Sequence, residues 1–148
     1  MIVFALRHAD RTPDPQDDLS PKGLARARLL ARMLSESGVS TAFCSSAKRT
    51  QMTVQPLRDV LGERLTIMKI STSSTSHVQD IVDGVTALPD DAVAMIVGHS
   101  DTVPEIVRKF TAKTVDEIKA GEFDKLFVLS IRTGGASTVA QTRYGEPT

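Results

Sequence analysis

The stretch Ile2-Val3-Phe4-Ala5-Leu6-Arg7-His8-Ala9-Asp10-Arg11 decides the fold of this 148-residue chain. Its first five residues are apolar without polar alternation, which is typical of a strand buried on both faces of a parallel sheet. Arginine, histidine and aspartate follow at once. Because open α/β sheets bind ligands at the carboxyl ends of their strands, Arg7 and His8 are expected at a binding site. A histidine beside arginines there indicates chemistry on an anion.

A second apolar run ends in the same way. Residues 92–97 are all apolar and are followed by Gly98-His99-Ser100-Asp101. Strand–helix–strand connections imply that the two strands are parallel. We therefore expect His8 and His99 to emerge at the same edge of the sheet.

The remaining pattern alternates between strands and helices. Ser20-Pro21 is typical of an N-cap and first helical position, and Pro56 is expected to kink or split the second helix. The predicted helices cover residues 21–36, 47–62, 78–85 and 102–110, with a shorter turn at 114–119. The other predicted strands cover residues 41–44, 65–70, 126–131 and 136–142, the last two forming a hairpin around Gly134-Gly135. These elements predict a three-layer α/β/α fold with a mostly parallel central sheet and a C-terminal antiparallel hairpin.

Length and composition limit the class of protein. The chain is expected to form a single domain over residues 1–148. Its 18 basic residues balance 18 acidic ones, which speaks against nucleic acid or a membrane surface as a partner. The single Cys44 excludes an internal disulfide, and no apolar stretch is long enough for a signal peptide or a bilayer span. We therefore expect a cytoplasmic protein.

Four ordered segments resemble the histidine phosphatase superfamily. They are Arg7-His8-Ala9, Leu19-Ser20-Pro21-Lys22-Gly23-Leu24, Ser45-Ser46-Ala47-Lys48-Arg49-Thr50-Gln51 and Val97-Gly98-His99-Ser100. That superfamily includes phosphoglycerate mutases, acid phosphatases and the small phosphohistidine phosphatases of the SixA type, and the last group is the most similar. The resemblance spans nearly the whole chain. It implies a phosphoglycerate mutase-like fold and a metal-independent phosphatase without a cofactor.

The resemblance also implies roles for four residues. Arg7 and Arg49 would clamp the phosphoryl oxygens, because a guanidinium is planar, permanently charged and can donate two parallel hydrogen bonds. His8 would attack phosphorus to form a covalent phosphohistidine, with its other ring nitrogen held by a backbone carbonyl. His99 would contact the phosphoryl oxygens and, when protonated, add positive charge there.

The general acid stays open at this stage. Larger members of the superfamily carry a glutamate after the third strand or an aspartate after the second histidine, and no glutamate follows the third strand here. Asp10 and Asp101 are the candidates, ahead of Asp80, although an ordinary loop or cap aspartate is the favoured interpretation of each. A phosphohistidine substrate would need no acid. Arg11 is either a further phosphate ligand or a solvated loop charge.

Other interpretations concern single residues. Cys44 and Arg49 suggest a cysteine-dependent phosphatase, but the four residues between them are too few for its loop. We expect Cys44 to be a buried apolar side chain and His77 to be a surface or capping residue. No residue spacing indicates a metal site.

The sequence therefore predicts a phosphatase acting on a phosphomonoester or a phosphohistidine, carried by a small molecule or a protein. The alternative functions are a non-catalytic module that binds phosphate or phosphoproteins and, less favoured, a phosphomutase. The oligomeric state is left open.

Overall fold

The chain folds into a six-stranded sheet with helices on both faces. The structure is a computed structural model and describes residues 1–148. The strands are β1 (Ile2–Arg7), β2 (Thr41–Ser45), β3 (Thr66–Ile70), β4 (Val93–Gly98), β5 (Lys125–Ser130) and β6 (Thr138–Arg143). The helices are α1 (Pro21–Leu34), α2 (Lys48–Leu61), α3 (His77–Thr86) and α4 (Thr102–Thr111). None of them is both long enough and apolar enough to cross a membrane. The predicted three-layer fold is confirmed.

The strand order is β3-β2-β4-β1-β5-β6. Strands β1 to β4 are mutually parallel, whereas β5 pairs antiparallel with β1, and β6 pairs antiparallel with β5. The C-terminal hairpin is therefore confirmed. Strands β1 and β4 are neighbours although 85 residues separate the end of β1 at Arg7 from the start of β4 at Val93, and this adjacency positions the site.

The apolar β1 run is buried on both faces of the sheet, as its lack of alternation predicts. Leu6 packs in the cluster that contains α1 and α2, whereas Val3 and Ala5 pack in the cluster that contains α3 and α4. All three side chains are 0% exposed. Helices α1 and α2 thus cover one face of the sheet, and α3 and α4 cover the other.

One local prediction is wrong in part and another is wrong altogether. Helix α2 runs without a break from Lys48 to Leu61, so Pro56 does not split it. The buried face of α2, which includes Val54 and Leu57, packs against the sheet, and this packing compensates for the hydrogen bond that proline removes.

The second error concerns residues 114–119, which form no helix. Ile118 is instead buried in the core beside α4. The carbonyl groups of Lys119 and Ala120 accept hydrogen bonds from the side chain of Arg7. Tertiary contacts therefore hold this segment in an irregular path along the edge of the sheet.

Candidate active site

The carboxyl ends of β1 and β4 lie side by side. Arg7 pairs with Gly98 in the ladder, and the amide of His8 donates to the Gly98 carbonyl at 2.9 Å. The ring centroids of His8 and His99 are consequently 5.6 Å apart. Because β1 leads into α1 on one face and β4 into α4 on the other, a crevice opens between the two strand ends.

A glycine is required at the end of β4. A Cβ atom at Gly98 would lie 2.9 Å from Oγ1 of Thr102 and 3.0 Å from a methyl carbon of Val103. The Thr102 hydroxyl also accepts a hydrogen bond from the amide of His99 at 3.0 Å. The first turn of α4 can therefore pack directly beneath His99 and hold its backbone in place.

A cavity of about 890 Å³ occupies this edge of the sheet. Four of the predicted site residues, Arg7, His8, Arg49 and His99, line it together. Arg11 and Asp101 also line it. The structure adds lining residues that the sequence analysis did not assign to the site, and the titratable ones are Asp17, His77 and Glu105.

His8 is held as a neutral imidazole with a defined tautomer. Its Nδ1 lies 2.8 Å from the carbonyl oxygen of Ala9, which can only accept, so Nδ1 carries the proton and Nε2 carries the lone pair. The residue is 2% exposed. Burial lowers the pKa of His8 to about 3, against the opposing effect of the Ala9 hydrogen bond and with help from the charges of Arg7 and Arg49. A neutral ring with a free Nε2 lone pair is what a nucleophile requires.

Arg7 is anchored at one end of its guanidinium. Its Nη1 donates to the carbonyls of Lys119, Ala120 and Glu122 at 3.1, 2.8 and 2.9 Å. The group also lies over the ring of Phe123, with Cζ 4.1 Å from the ring centroid. The Nε of Arg7 is buried without a hydrogen-bond partner. Since native proteins rarely leave such a donor unpaired, we expect it to contact a bound anion.

Arg49 is oriented by the loop that follows β1. Its Nη1 donates to Oδ1 of Asp17 at 2.5 Å, and the amide of Lys48 donates to Oδ2 of the same carboxylate at 2.6 Å. The loop therefore lies beside the mouth of the cavity. Like Arg7, Arg49 has a buried Nε without a partner.

His99 connects Arg49 to the sheet. Arg49 Nη2 lies 3.3 Å from Nδ1 of His99, and His99 Nε2 lies 2.9 Å from Oγ of Ser45. Ser45 Oγ in turn lies 2.9 Å from Oγ1 of Thr50. Burial, followed by the charge of Arg49, lowers the pKa of His99 to about 4. His99 is therefore neutral at neutral pH, and the positive charge of the site comes from its arginines.

Asp10 does not line the cavity, and this argues against the prediction that it is a general acid. Its carboxylate accepts a hydrogen bond from Nε of Arg26 at 2.6 Å, and both side chains are buried. Its carbonyl accepts from the amide of Ser20 at 2.9 Å. A Cβ atom at Gly23 would lie 1.9 Å from that carbonyl oxygen, so α1 packs closely on Asp10. Asp10 therefore stabilises the junction between β1 and α1.

Asp101 and Arg11 occupy different positions at the cavity. Asp101 is exposed and makes no capping hydrogen bond to α4, so its carboxylate is free. Arg11 Nη2 pairs with Asp14 and donates to the carbonyl of Gln16, and its Nε donates to the carbonyl of Thr12. Arg11 therefore stabilises its own loop as well as lining the cavity.

His77 is part of the cavity, whereas the sequence analysis predicted a surface or capping residue. It is only 6% exposed and lines the cavity. A signal for it was present, because the parallel β3 ends at the same edge of the sheet and α3 begins soon after it. The serine-rich residues 71–76 obscured this position, since they are typical of a surface loop.

Cys44 lies inside the core, as predicted. It is 0% exposed on β2, and burial raises the pKa of its thiol to about 11. A thiolate nucleophile is therefore not available.

We expect Cys44→Ser to change kcat/KM by less than about twofold. It should lower the free energy of unfolding by about 1–3 kcal/mol, because it buries a hydroxyl. Loss of activity in a folded variant would contradict this.

The buried His8 and the half-buried His99 make stability depend on pH. Their folded-state pKa values of about 3 and about 4 lie below the ordinary value of 6.5. The unfolded chain therefore binds more protons below about pH 6.5, and the free energy of unfolding falls as pH decreases. Each histidine contributes up to about 1.4 kcal/mol per pH unit. Urea unfolding between about pH 7 and pH 5 should show a shallower slope for His99→Asn than for the wild type; an unchanged slope would contradict the assignment.

The fold and the cavity define an α/β/α protein with a neutral histidine and two arginines gathered at a switch point, an arrangement suited to phosphate. Residues 6–70 match the family model of the histidine phosphatase superfamily (branch 1). The resemblance is thereby confirmed: the chain carries the histidine phosphatase fold and, over residues 6–70, the sequence pattern of that superfamily. No curated protein matches the chain by sequence.

Solved structures share the fold over almost the whole chain. The protein histidine phosphatase SixA, solved with tungstate, has a TM-score of 0.71 and 17% identity, covering 97% of both chains. A SixA-type protein of Agrobacterium tumefaciens has a TM-score of 0.64 and 21% identity, covering 86% of this chain and 90% of its own. A mycobacterial glucosyl-3-phosphoglycerate phosphatase has a TM-score of 0.68 and 12% identity, covering 99% of both chains.

Proposed function

We propose that this chain is a phosphatase that passes a phosphoryl group first to Nε2 of His8 and then to water. The observation that carries the proposal is the state of His8: buried, neutral, and fixed by Ala9 in the tautomer that leaves Nε2 unprotonated. A free lone pair on a nitrogen beside two guanidinium groups suits attack on phosphorus.

The two arginines supply the electrostatic part of the reaction. Phosphoryl transfer depends mainly on positioning and on stabilising the negative charge of the equatorial oxygens. Arg7 and Arg49 reach the cavity with anchored guanidinium groups and unpaired Nε donors. Because they are already oriented, they can bind the phosphoryl group without paying for reorganisation during the reaction.

The proposed reaction uses no metal ion. The lining residues that would hold the phosphate are arginines and histidines, and no group of three metal-ligating side chains occurs in the chain. The arginine charges take the place that a cation holds in metal-dependent phosphatases.

The substrate class is a phosphomonoester or a phosphohistidine. The cavity of about 890 Å³ is larger than a phosphate group alone, so part of a small molecule or of a protein side chain fits beside it. Two of the structural neighbours differ in this respect, one being named a protein histidine phosphatase and the other a glucosyl-3-phosphoglycerate phosphatase. We propose both classes for the first assays.

The test is phosphate release by the purified protein from a panel of phosphomonoesters and from a phosphohistidine protein, in excess chelator. Turnover of any substrate under these conditions supports the proposal. Turnover that appears only after a metal is added overturns the metal-free mechanism. Binding of phosphate or vanadate without turnover of any substrate favours the binding module, and transfer between positions of one substrate without release favours a mutase.

A further inference from the structure

Three buried nitrogen atoms make no hydrogen bond in the structure: Nε of Arg7, Nε of Arg49 and Nε2 of His77. All three belong to residues that line the same cavity. A buried polar group without a partner costs about 1–3 kcal/mol, so its presence calls for an explanation. Phosphoryl oxygens account for the two arginine atoms, whereas nothing in the phosphatase mechanism above accounts for His77.

His77 is held so that only one of its nitrogens can exchange a proton. Its Nδ1 lies 2.9 Å from the carbonyl oxygen of Ser71, which accepts only, so Nδ1 stays protonated. Nε2 therefore carries a lone pair in the neutral ring and becomes an N–H donor in the protonated ring. This atom is also the one that lacks a partner.

We propose that His77 is the proton-transfer residue of this site, an inference that rests on the proposed phosphatase function. In the first step, His8 Nε2 bonds to phosphorus while the bond from phosphorus to the leaving oxygen breaks. The electron pair of that bond moves to the leaving oxygen, which takes the proton from protonated His77 Nε2.

The second step returns the site to its starting state. Water attacks phosphorus, and the phosphorus–nitrogen bond breaks with its electron pair returning to His8 Nε2. The proton that the water loses passes to His77 Nε2. The net reaction consumes one water and releases an alcohol and phosphate, and no other reactant is needed.

The carboxylates at the cavity are placed less well for this role. Asp17 is paired with Arg49, and Asp101 is exposed on the rim. Glu105 is half-buried on α4, and none of the three has a buried oxygen without a partner. His77 alone combines burial, a fixed tautomer and an unpaired atom that can give and take a proton.

The experiment measures kcat/KM for two classes of phosphomonoester in the full chain. An alkyl phosphate needs protonation of its leaving oxygen, whereas the 4-nitrophenolate of 4-nitrophenyl phosphate leaves as a stable anion. His77→Gln places an amide near Nε2 that cannot transfer a proton, and His77→Asn keeps a donor for the Ser71 carbonyl while removing Nε2. Asp101→Asn tests the rival acid, and Asp83→Asn, on the exposed face of α3, is the matched control.

We expect both His77 variants to lose about 10²-fold or more in kcat/KM for the alkyl phosphate. The same variants should lose less than about fivefold for 4-nitrophenyl phosphate, which also shows that they are folded. Equal losses for both substrates, or no loss for either, would overturn the role of His77, and so would a selective loss in Asp101→Asn alone. A wild type inactive on all substrates would instead refute the phosphatase proposal itself.

Discussion

Replacing His8 with asparagine should reduce turnover at least about 10⁴-fold, because it removes Nε2, the nucleophile that we propose. Asparagine was chosen because its amide can still donate to the Ala9 carbonyl that Nδ1 of His8 contacts. The backbone turn after β1 should therefore survive. The measurement is kcat for the best substrate of the wild type, with phosphate or vanadate binding measured in parallel.

Binding should persist in His8→Asn, since Arg7 and Arg49, which we propose to hold the phosphoryl oxygens, are unchanged. The wild type, denatured in alkali during turnover, should retain label from a ³²P-substrate on a histidine, and the variant should retain none. A variant with a kcat near that of the wild type would contradict the covalent mechanism. Phosphate release by a wild type that never carries label would do the same.

The second large effect concerns stability and is expected for Arg26→Met. Arg26 donates to the Asp10 carboxylate at 2.6 Å and to the carbonyls of Tyr144 and Glu146 at 2.8 and 2.7 Å. Its side chain is only 2% exposed, so removing it leaves the Asp10 charge buried without a partner. We expect the free energy of unfolding to fall by about 3–5 kcal/mol, measured by urea denaturation.

The control is Arg28→Met, an exposed position on the same helix, which should change the free energy of unfolding by less than about 0.5 kcal/mol. A loss below about 1 kcal/mol in Arg26→Met would show that the ion pair is not important for folding. Asp10→Asn completes the comparison. It should lower stability and leave kcat within a few-fold, whereas a folded but inactive Asp10→Asn would restore Asp10 as a catalytic residue.

Residues that are close in sequence can have different surroundings in the fold. His8 and Asp10 are two residues apart after β1, yet His8 lines the cavity and Asp10 pairs with Arg26. The chain leaves the extended strand at this point and turns toward α1, so residues two apart no longer share a face. Ranking the acidic residues by their distance in sequence from His8 could not predict this turn.

Much of the fold and part of the site follow from the sequence. The uninterrupted apolar runs before Arg7 and Gly98 require strands buried on both faces, and the connections between them require parallel pairing. Together these rules place His8 and His99 at one edge of the sheet. Arg49, at the start of α2, was predicted from the resemblance of residues 45–51 to the superfamily.

Only the tertiary structure decided which polar side chains complete the site, and in which protonation state. His77 reaches the cavity because β3 ends beside β2. Asp10 leaves it because its carboxylate binds Arg26 on α1, and Arg26 is held in turn by the carbonyls of Tyr144 and Glu146. The neutrality of His8 and His99 likewise depends on burial by elements far away in the chain. The physical reason is that apolar periodicity is local and survives in the sequence, whereas charge pairing and desolvation depend on which distant residues become neighbours.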